Sequence, residues 1–261
     1  MSYRFWIACL LTSGMFGSAC AQKVTLDYYF NHETRKTADG HVVRYHYTWE
    51  DGSNNGFSIL GGAFKRAGAQ LDTLDRPPNA ANLKSTAVYI IVDPDTRKET
   101  ADPKFIETKE INAIDAWVKR GGVLVILAND SANVEMLHFN NLAARFGMHF
   151  NEDIQNHVTD DQHFEDGAIS TVDNPLFRTA HKIFMKDACS IGLKYPATAM
   201  LKNSSGAVVI AMAKYGKGTV LAVGDPWLYN EYTNGRLPAG FENDKAANDV
   251  AEWLLSRVPK K

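Results

Sequence analysis

Three apolar runs constrain the fold of this chain more than any other feature. They occupy residues 87–92, 123–128 and 219–223, and each is rich in Val, Ile and Leu or in small apolar residues. Unbroken runs of this length predict strands that are buried on both faces, as in parallel sheets. The sequence therefore predicts a central sheet with helices on both sides.

Acidic or amide residues follow each of these runs. Asp93 and Asp95 follow the first run, Asn129 and Asp130 follow the second, and Asp225 follows the third. In open parallel sheets, ligands bind beyond the carboxyl ends of the strands, which meet at one edge. We therefore expect these five side chains to lie together at that edge, which we call the carboxyl edge.

Stripes of apolar residues at helical spacing alternate with the predicted strands. The stripes indicate four helices, with Asn133 as the expected cap of the third, and they fall within residues 57–67, 111–118, 134–146 and 244–255. Residues 208–212 and 219–223 are predicted strands joined by the turn 214–218, which adds an antiparallel hairpin. This order of elements predicts an α/β fold with three layers and a mainly parallel sheet.

The charge of the chain argues against a nucleic-acid partner. The sequence has 28 Lys and Arg and 30 Asp and Glu, giving a net charge of −2 and a pI near 6.4. A nucleic-acid-binding domain needs a basic surface, and this composition does not supply one.

The first 21 residues have the pattern of a secretory signal peptide. One positive charge at Arg4 precedes a short apolar stretch, and Ala19-Cys20-Ala21 supplies the small residues of a cleavage site. Cleavage after Ala21 would leave a single domain, residues 22–261, in the periplasm or outside the cell. Cys20 is an alternative lipidation site, although the residues before it lack the usual leucine. The apolar stretch is too short for a membrane span.

The remaining cysteine and the missing motifs exclude several chemistries. Cleavage would leave Cys189 as the one cysteine, and its apolar neighbours favour a packed thiol over a nucleophile. Ser131 has the position of a nucleophile but lacks the G-x-S-x-G setting. The chain has neither a G-x-G-x-x-G fingerprint nor Cys and His at zinc spacing, so we expect no cofactor.

The candidate catalytic residues are Asp95, Asp225 and His157. Two carboxyl groups at suitable spacing, one protonated and one ionised, can cleave glycosidic bonds. His157 lies in a polar segment that could reach the carboxyl edge and serve as a proton shuttle. The alternative is that the aspartates only form turns and helix caps.

The candidate binding residues are Trp227, Tyr229 and Asn230, together with Asp93, Asn129 and Asp130. Aromatic faces stack on the C–H faces of sugar rings, and carboxylates and amides bind sugar hydroxyls. Trp227 and Tyr229 directly follow the last apolar run, where core packing explains them less easily. The alternative for Trp227 is that it fills a gap beneath the loop.

Three segments, residues 88–96, 121–130 and 215–227, together resemble a known domain family of unknown function. That family has the class I glutamine-amidotransferase-like, flavodoxin-like fold. Its members occur in secreted proteins of polysaccharide-degrading Gram-negative bacteria, often with or fused to unsaturated rhamnogalacturonyl hydrolases. The resemblance covers residues 24–255 and implies this fold, with an unsaturated glycuronyl hydrolase as a partner.

The resemblance does not extend to the glutaminase triad. Asn129-Asp130-Ser131 occupies the place of the amidotransferase cysteine, so His163-Phe164-Glu165, which matches the H-x-E of that triad, has no nucleophile to serve. The barrel of the associated hydrolase needs more helix than this chain supplies. Three hypotheses remain: a domain that binds an oligosaccharide or polysaccharide fragment at the carboxyl edge, a glycan hydrolase or lyase, and a noncatalytic protein-interaction module.

Overall fold

The computed structural model describes residues 21–260, apart from the side chains of Leu228, Tyr229 and Glu231. The predicted signal peptide and Cys20 therefore lie outside the described residues, apart from Ala21. The strands are β1 (Lys23–Asp27), β2 (Thr34–Lys36), β3 (Val42–Arg44), β4 (Gln70–Leu74), β5 (Val88–Val92), β6 (Val123–Leu127), β7 (Met148–Phe150), β8 (Ala168–Ser170), β9 (Lys182–Phe184), β10 (Ile191–Leu193), β11 (Ala197–Lys202), β12 (Val208–Tyr215) and β13 (Gly218–Val223). The α-helices are α1 (Ser58–Arg66), α2 (Thr108–Lys119), α3 (Met136–Ala144) and α4 (Asn243–Arg257).

Seven strands form a central, mostly parallel sheet in the order β11-β12-β13-β6-β5-β1-β4. All pairs from β4 to β13 are parallel, whereas β12 runs antiparallel to both of its neighbours. The three apolar runs become β5, β6 and β13, and all residues of these strands are buried. The prediction of a mixed α/β fold with a mainly parallel sheet and a late hairpin is confirmed.

Helices cover both faces of the sheet because successive strand residues point to opposite sides. Ile90 and Val125 face α1 and α4, in one core with Phe64 and Val250. On the other face, α2 and α3 pack on the remaining strand residues in a second core; that core includes Tyr89, Ile91, Leu124, Ile126, Ile114 and Phe139. The sheet is therefore the middle of three layers.

Some local predictions differ from the structure. Helix α3 begins at Met136 and is capped by the side chain of Glu135, which accepts a hydrogen bond from the His138 N–H, so Asn133 is not its cap. Instead, the Asn133 amide donates to Asp130 in the preceding turn at 2.8 Å. The apolar neighbours of Cys189 predict a buried strand, and β10 lies there. The sequence pattern did not reveal edge strand β11, strand β7 that pairs with β10, or the β8–β9 ladder. These strands have only three to six residues, too few for a clear alternation of polar and apolar positions.

A short hairpin projects from the carboxyl edge between β1 and α1. Strands β2 and β3 pair only with each other, and we call residues 32–46 the arm. Most residues of its two strands are exposed, and Val42 is 64% exposed. Within residues 21–260, no helix is long and apolar enough to cross a membrane.

The start of β13 packs closely against the end of α2, and a substitution at Gly218 tests this packing. A Cβ on Gly218 would lie 2.2 Å from the Val118 carbonyl oxygen and 2.3 Å from that of Gly122, so backbone would have to move. We expect Gly218→Ala to lower the free energy of unfolding by about 1–3 kcal/mol, measured by urea denaturation. Gly52→Ala is the control because its Cβ would meet nothing closer than 3.8 Å. Equal stability of the two variants would contradict this account of the packing.

Candidate functional site

The carboxyl ends of β5, β6 and β13 lie side by side, because Val92 pairs with Leu127 and Leu127 with Val223. This register brings Asp93, Asn129 and Asp225 to the same edge of the sheet. They are only 5%, 9% and 2% exposed, respectively, so they lie beneath the surrounding loops. The sequence places these residues at the carboxyl edge, and the structure adds that they are covered.

Asp93 has a strained backbone and a buried carboxyl group. Its φ of +45° lies in the left-handed region, which residues other than glycine rarely adopt. Its Oδ2 accepts a 3.3 Å hydrogen bond from the Asn129 amide, and its Oδ1 has no hydrogen-bond partner. Burial, followed by repulsion from Glu99, raises the pKa of Asp93 well above its usual value. The Tyr47 hydroxyl lies beside this carboxyl group and opposes part of that shift.

Asp95 is buried in the loop that follows β5. Its Oδ2 accepts a hydrogen bond from the His32 backbone N–H at 2.8 Å, whereas its Oδ1 has no partner. Burial raises the pKa of Asp95 to about 7, and the nearby Arg44 lowers it only in part. This carboxyl group can therefore change its protonation state near neutral pH.

Asp225 holds the loop after β13. Its Oδ1 accepts a hydrogen bond from the Trp227 backbone N–H at 2.7 Å, and its Oδ2 accepts one from the Lys186 N–H at 2.9 Å. Burial raises the pKa of Asp225 to about 7 despite these two bonds. Both oxygens are thus engaged by backbone, which is the arrangement of a structural cap.

Asp130 lies in the same row but binds its own turn. It is half-buried, and its two oxygens accept hydrogen bonds from the Ala132 N–H and the Asn133 amide at 2.9 and 2.8 Å. The neighbouring Asn129 instead reaches Asp93 across the edge. Asn129 therefore connects two strand ends, whereas Asp130 does not.

Trp227 is half-buried and connects the loop after β13 to Tyr47, in the segment between β3 and α1. Its indole N–H donates to the Tyr47 hydroxyl at 3.0 Å, and its ring packs against the core. The rings of Trp227 and Tyr232 lie 4.5 Å apart between centroids. Lys186 Nζ is 5.9 and 5.7 Å from these two centroids, and the Arg236 guanidinium is 4.0 Å from that of Tyr232.

Of the other two candidate residues in this loop, Tyr229 and Asn230, only Asn230 has a described side chain. The side chain of Tyr229 lies outside the described residues. Asn230 is fully buried, and its Oδ1 accepts a hydrogen bond from the Tyr232 N–H at 3.0 Å. Its amide nitrogen has no hydrogen-bond partner. Asn230 therefore holds the loop that presents Tyr232.

The carboxylate of Asp187 lies between His157 and Asp225. His157 Nδ1 is 2.7 Å from Asp187 Oδ1, and the charge of Asp187 contributes to the raised pKa of Asp225. The imidazole is largely exposed. The structure thus brings the predicted His157 to the same end of the sheet as Asp225, without direct contact between the two.

Several polar residues at this edge were missed by sequence reasoning. Asp27 ends β1, accepts a 2.5 Å hydrogen bond from the Tyr89 hydroxyl, and has its pKa raised by burial to about 6. The segment after β1 contributes Asn31, Glu33 and Tyr47, which are buried at the same edge. An acidic residue at the end of an apolar strand was the available signal, and it applies to β1 as well as to the three longer runs.

Two surface grooves are lined by residues other than the buried carboxyl groups Asp93, Asp95 and Asp225. One, of about 710 Å³, runs between the start of α2 and α3 and is lined by Thr108, His138 and Arg145. The other, of about 190 Å³, lies beside the start of α4 and includes Thr233 and Phe241. Among residues 21–260, no three His, Cys, Asp or Glu side chains converge in a way that could hold a metal ion.

The comparisons identify a family and a fold. A family model described as a domain of unknown function, DUF4350, matches residues 50–237. No curated protein sequence matches the chain.

Three solved structures show the fold. The mmIFT52 N-terminal domain has a TM-score of 0.63 at 14% identity, over 89% of this chain and 97% of that one. The cytoplasmic protein STM1381 from Salmonella typhimurium LT2 has a TM-score of 0.51 at 15% identity, over 78% and 87%. A β-galactosidase from Bacillus circulans has a TM-score of 0.50 at 12% identity, over 88% of this chain but only 30% of that one.

The buried carboxyl groups predict a stability that falls as the pH rises from 5 to 8. Their raised pKa values mean that the folded state keeps protons which the unfolded chain releases above about pH 4. Asp95 and Asp225 therefore contribute most below pH 4, and their contribution is lost as the pH approaches 7. We expect the free energy of unfolding, from urea denaturation, to be at least about 1 kcal/mol lower at pH 8 than at pH 5. Equal or greater stability at pH 8 would contradict this assignment.

Proposed function

We propose, on the premise that the chain belongs to the DUF4350 family, that it binds an oligosaccharide at the carboxyl edge and is not a glutaminase. The observation that carries the proposal is the Trp227–Tyr232 ring pair, with Lys186 and Arg236 beside it. Aromatic faces bind the apolar faces of sugar rings, and cations beside them bind hydroxyl or carboxylate groups. This combination suits a neutral or acidic glycan fragment.

The location of the ring pair supports this proposal. It follows β13, at the edge where ligands of open α/β sheets bind. Asp225 and Asn230 hold its loop through bonds to backbone N–H groups, so the rings are positioned before a ligand arrives. In this proposal Tyr232 replaces Tyr229 as the residue that stacks with Trp227, and Asp93 and Asn129 support the site from below.

The strand order supports a more specific fold. The parallel strands, numbered by their order in the chain, run 2-1-3-4-5 across the sheet, which is the flavodoxin-like order. We infer from it the class I glutamine-amidotransferase-like architecture that the sequence resemblance implies.

We propose that the protein takes part in the breakdown of glycans in the periplasm or outside the cell. The signal-peptide pattern of residues 1–21 supports a periplasmic or secreted location. The B. circulans β-galactosidase has a stretch of this fold within a longer chain. We propose that this domain likewise accompanies a sugar-acting enzyme, with an unsaturated glycuronyl hydrolase as the expected partner.

Catalysis by Asp95 and Asp225 with His157 is a second candidate. The pKa values of about 7 at both carboxyl groups favour it, because acid–base catalysts work best near the ambient pH. Burial of both groups argues against it, since a substrate must reach them. Incubation with pectic oligosaccharides tests it: new reducing ends or unsaturated products that disappear in Asp95→Asn and Asp225→Asn would establish an enzyme.

The binding proposal predicts a specific loss of affinity in Tyr232→Ala. Removal of one stacking ring should weaken binding of pectic oligosaccharides at least about tenfold, as measured by isothermal titration calorimetry. Trp227 is a poorer test because its bond to Tyr47 and its core contacts also stabilise the fold.

Tyr195→Ala is the matched control. Tyr195 is 97% exposed and precedes β11, whose first residue, Ala197, pairs with Ala213 near the end of β12. Ala213 pairs in turn with Val220 near the start of β13, so Tyr195 lies at the edge opposite the carboxyl edge. Its removal should leave affinity unchanged. Equal affinities for the wild type, Tyr232→Ala and Tyr195→Ala would refute the aromatic site.

A further inference from the structure

Buried oxygen atoms without hydrogen-bond partners are concentrated between the ends of β1 and β5. They are Asn31 Oδ1, Asp93 Oδ1 and Asp95 Oδ1, and each of the three residues is at least 95% buried. All three atoms can accept a hydrogen bond. A buried acceptor without a donor is unfavourable, and a buried carboxylate in that position is more so.

The charges that face this cluster do not neutralise it. Glu33 faces it from the arm, Glu99 from the loop after β5, and Asp225 acts from β13 on Tyr47. The positive group is Arg44, which acts on Asp95 from the arm, and the His46 imidazole contacts Glu33. Asp27, at the end of β1, is bonded to the Tyr89 hydroxyl. Protonation removes the charge of a buried carboxyl group and gives it a hydrogen-bond donor.

The base of the arm is attached to the loop that carries Asp93 and Asp95, at one carboxyl group and one backbone carbonyl. The His32 N–H donates to Asp95 Oδ2 at 2.8 Å, and the Asn31 amide donates to the Asp93 carbonyl oxygen at 2.8 Å. On the other side of the arm, the Tyr47 hydroxyl lies beside Asp93 and accepts the Trp227 indole N–H. A change of charge on Asp95 therefore acts directly on a bond that holds the arm, and a change of charge on Asp93 acts on Tyr47, next to the end of the arm.

The backbone at these attachment points is strained. His46, Tyr47 and Asp93 have φ values of +59°, +45° and +45°, although none is glycine. Each such residue costs about 1 kcal/mol or more and persists only where its surroundings hold it. Beyond its base the arm is an exposed two-stranded hairpin, so little packing opposes its movement.

We propose that the arm, residues 32–46, is a proton-controlled cover of the carboxyl edge, closed while Asp93 and Asp95 are protonated and released when they ionise. Release exposes Asp95, which bonds to the arm, and Asp93 beside it, and both are buried when the arm is closed. This inference goes beyond glycan binding and does not depend on it. It makes access to the edge a function of pH.

The direction of the pH dependence follows from burial. The pKa of Asp95 is about 7 in the closed state, and that of Asp93 is also raised, whereas exposed aspartates titrate near 3.8. The closed state therefore holds protons that the open state releases. The closed state is favoured most below about pH 4. Between about pH 4 and pH 7, the equilibrium constant for opening of the arm rises up to tenfold per pH unit for each group.

Hydrogen exchange of the His32 backbone amide tests whether the arm opens as the pH rises. It is followed by NMR on residues 22–261 without ligand. After correction for intrinsic exchange, we expect its opening constant to rise at least tenfold from pH 5 to pH 8. A fixed arm gives the opposite result, because an ionised Asp95 would bind this N–H more strongly. An unchanged or slower exchange at pH 8 overturns the proposal.

Two further measurements separate the cover from other causes. The amide of Ile90, in the middle of β5, should show a much smaller rise, and an equal rise would indicate global unfolding and overturn the proposal. Asp95→Asn should remove at least half of the logarithmic rise at His32. Asp225→Asn, which removes a carboxyl group of similar burial and pKa whose oxygens do not contact the arm, should retain it. A full rise in Asp95→Asn also overturns the proposal.

Discussion

The parallel register of β5, β6 and β13 is the constraint on which the carboxyl edge depends. Because these strands are aligned residue by residue, the first polar residue after each must emerge in the same row. Loops then cover that row, so Asp93, Asn129 and Asp225 lie at one edge and are buried. The same alignment that assembles a site thus also makes ionisation of its carboxyl groups costly.

Sequence reasoning located this edge because its signals are local. An apolar run followed by an acid identifies a strand and its end, and α1, α2 and α4 follow from helical spacing. The features that it missed are contacts between residues that are far apart in the sequence. Trp227 illustrates this: its position after β13 was readable, but its hydrogen bond to Tyr47 joins residues far apart in the chain. The arm was missed for the same reason, since its strands are exposed and its role lies in what its base covers.

The site combines two different kinds of region. Around Asp225 the polar atoms are bonded to backbone, and the loop presents the Trp227–Tyr232 pair as a fixed surface. Around Asp93 and Asp95 the polar atoms lack partners and the backbone is strained. Fixed regions suit recognition, whereas strained and unsatisfied regions suit a change of state. The two proposals accordingly rest on different regions, glycan binding on the loop after β13 and the pH response on the loop after β5.

The strand order also has a consequence for how the chain folds. Strand β6 needs β13 as its neighbour, yet α3, four short strands and the β11–β12 pair lie between them in sequence. Closing so long a loop is entropically costly before any contact compensates for it, which slows the search for the native topology. The centre of the sheet therefore stays incomplete until late in synthesis, and the unpaired side of β6 is an edge at which another chain can pair during that interval.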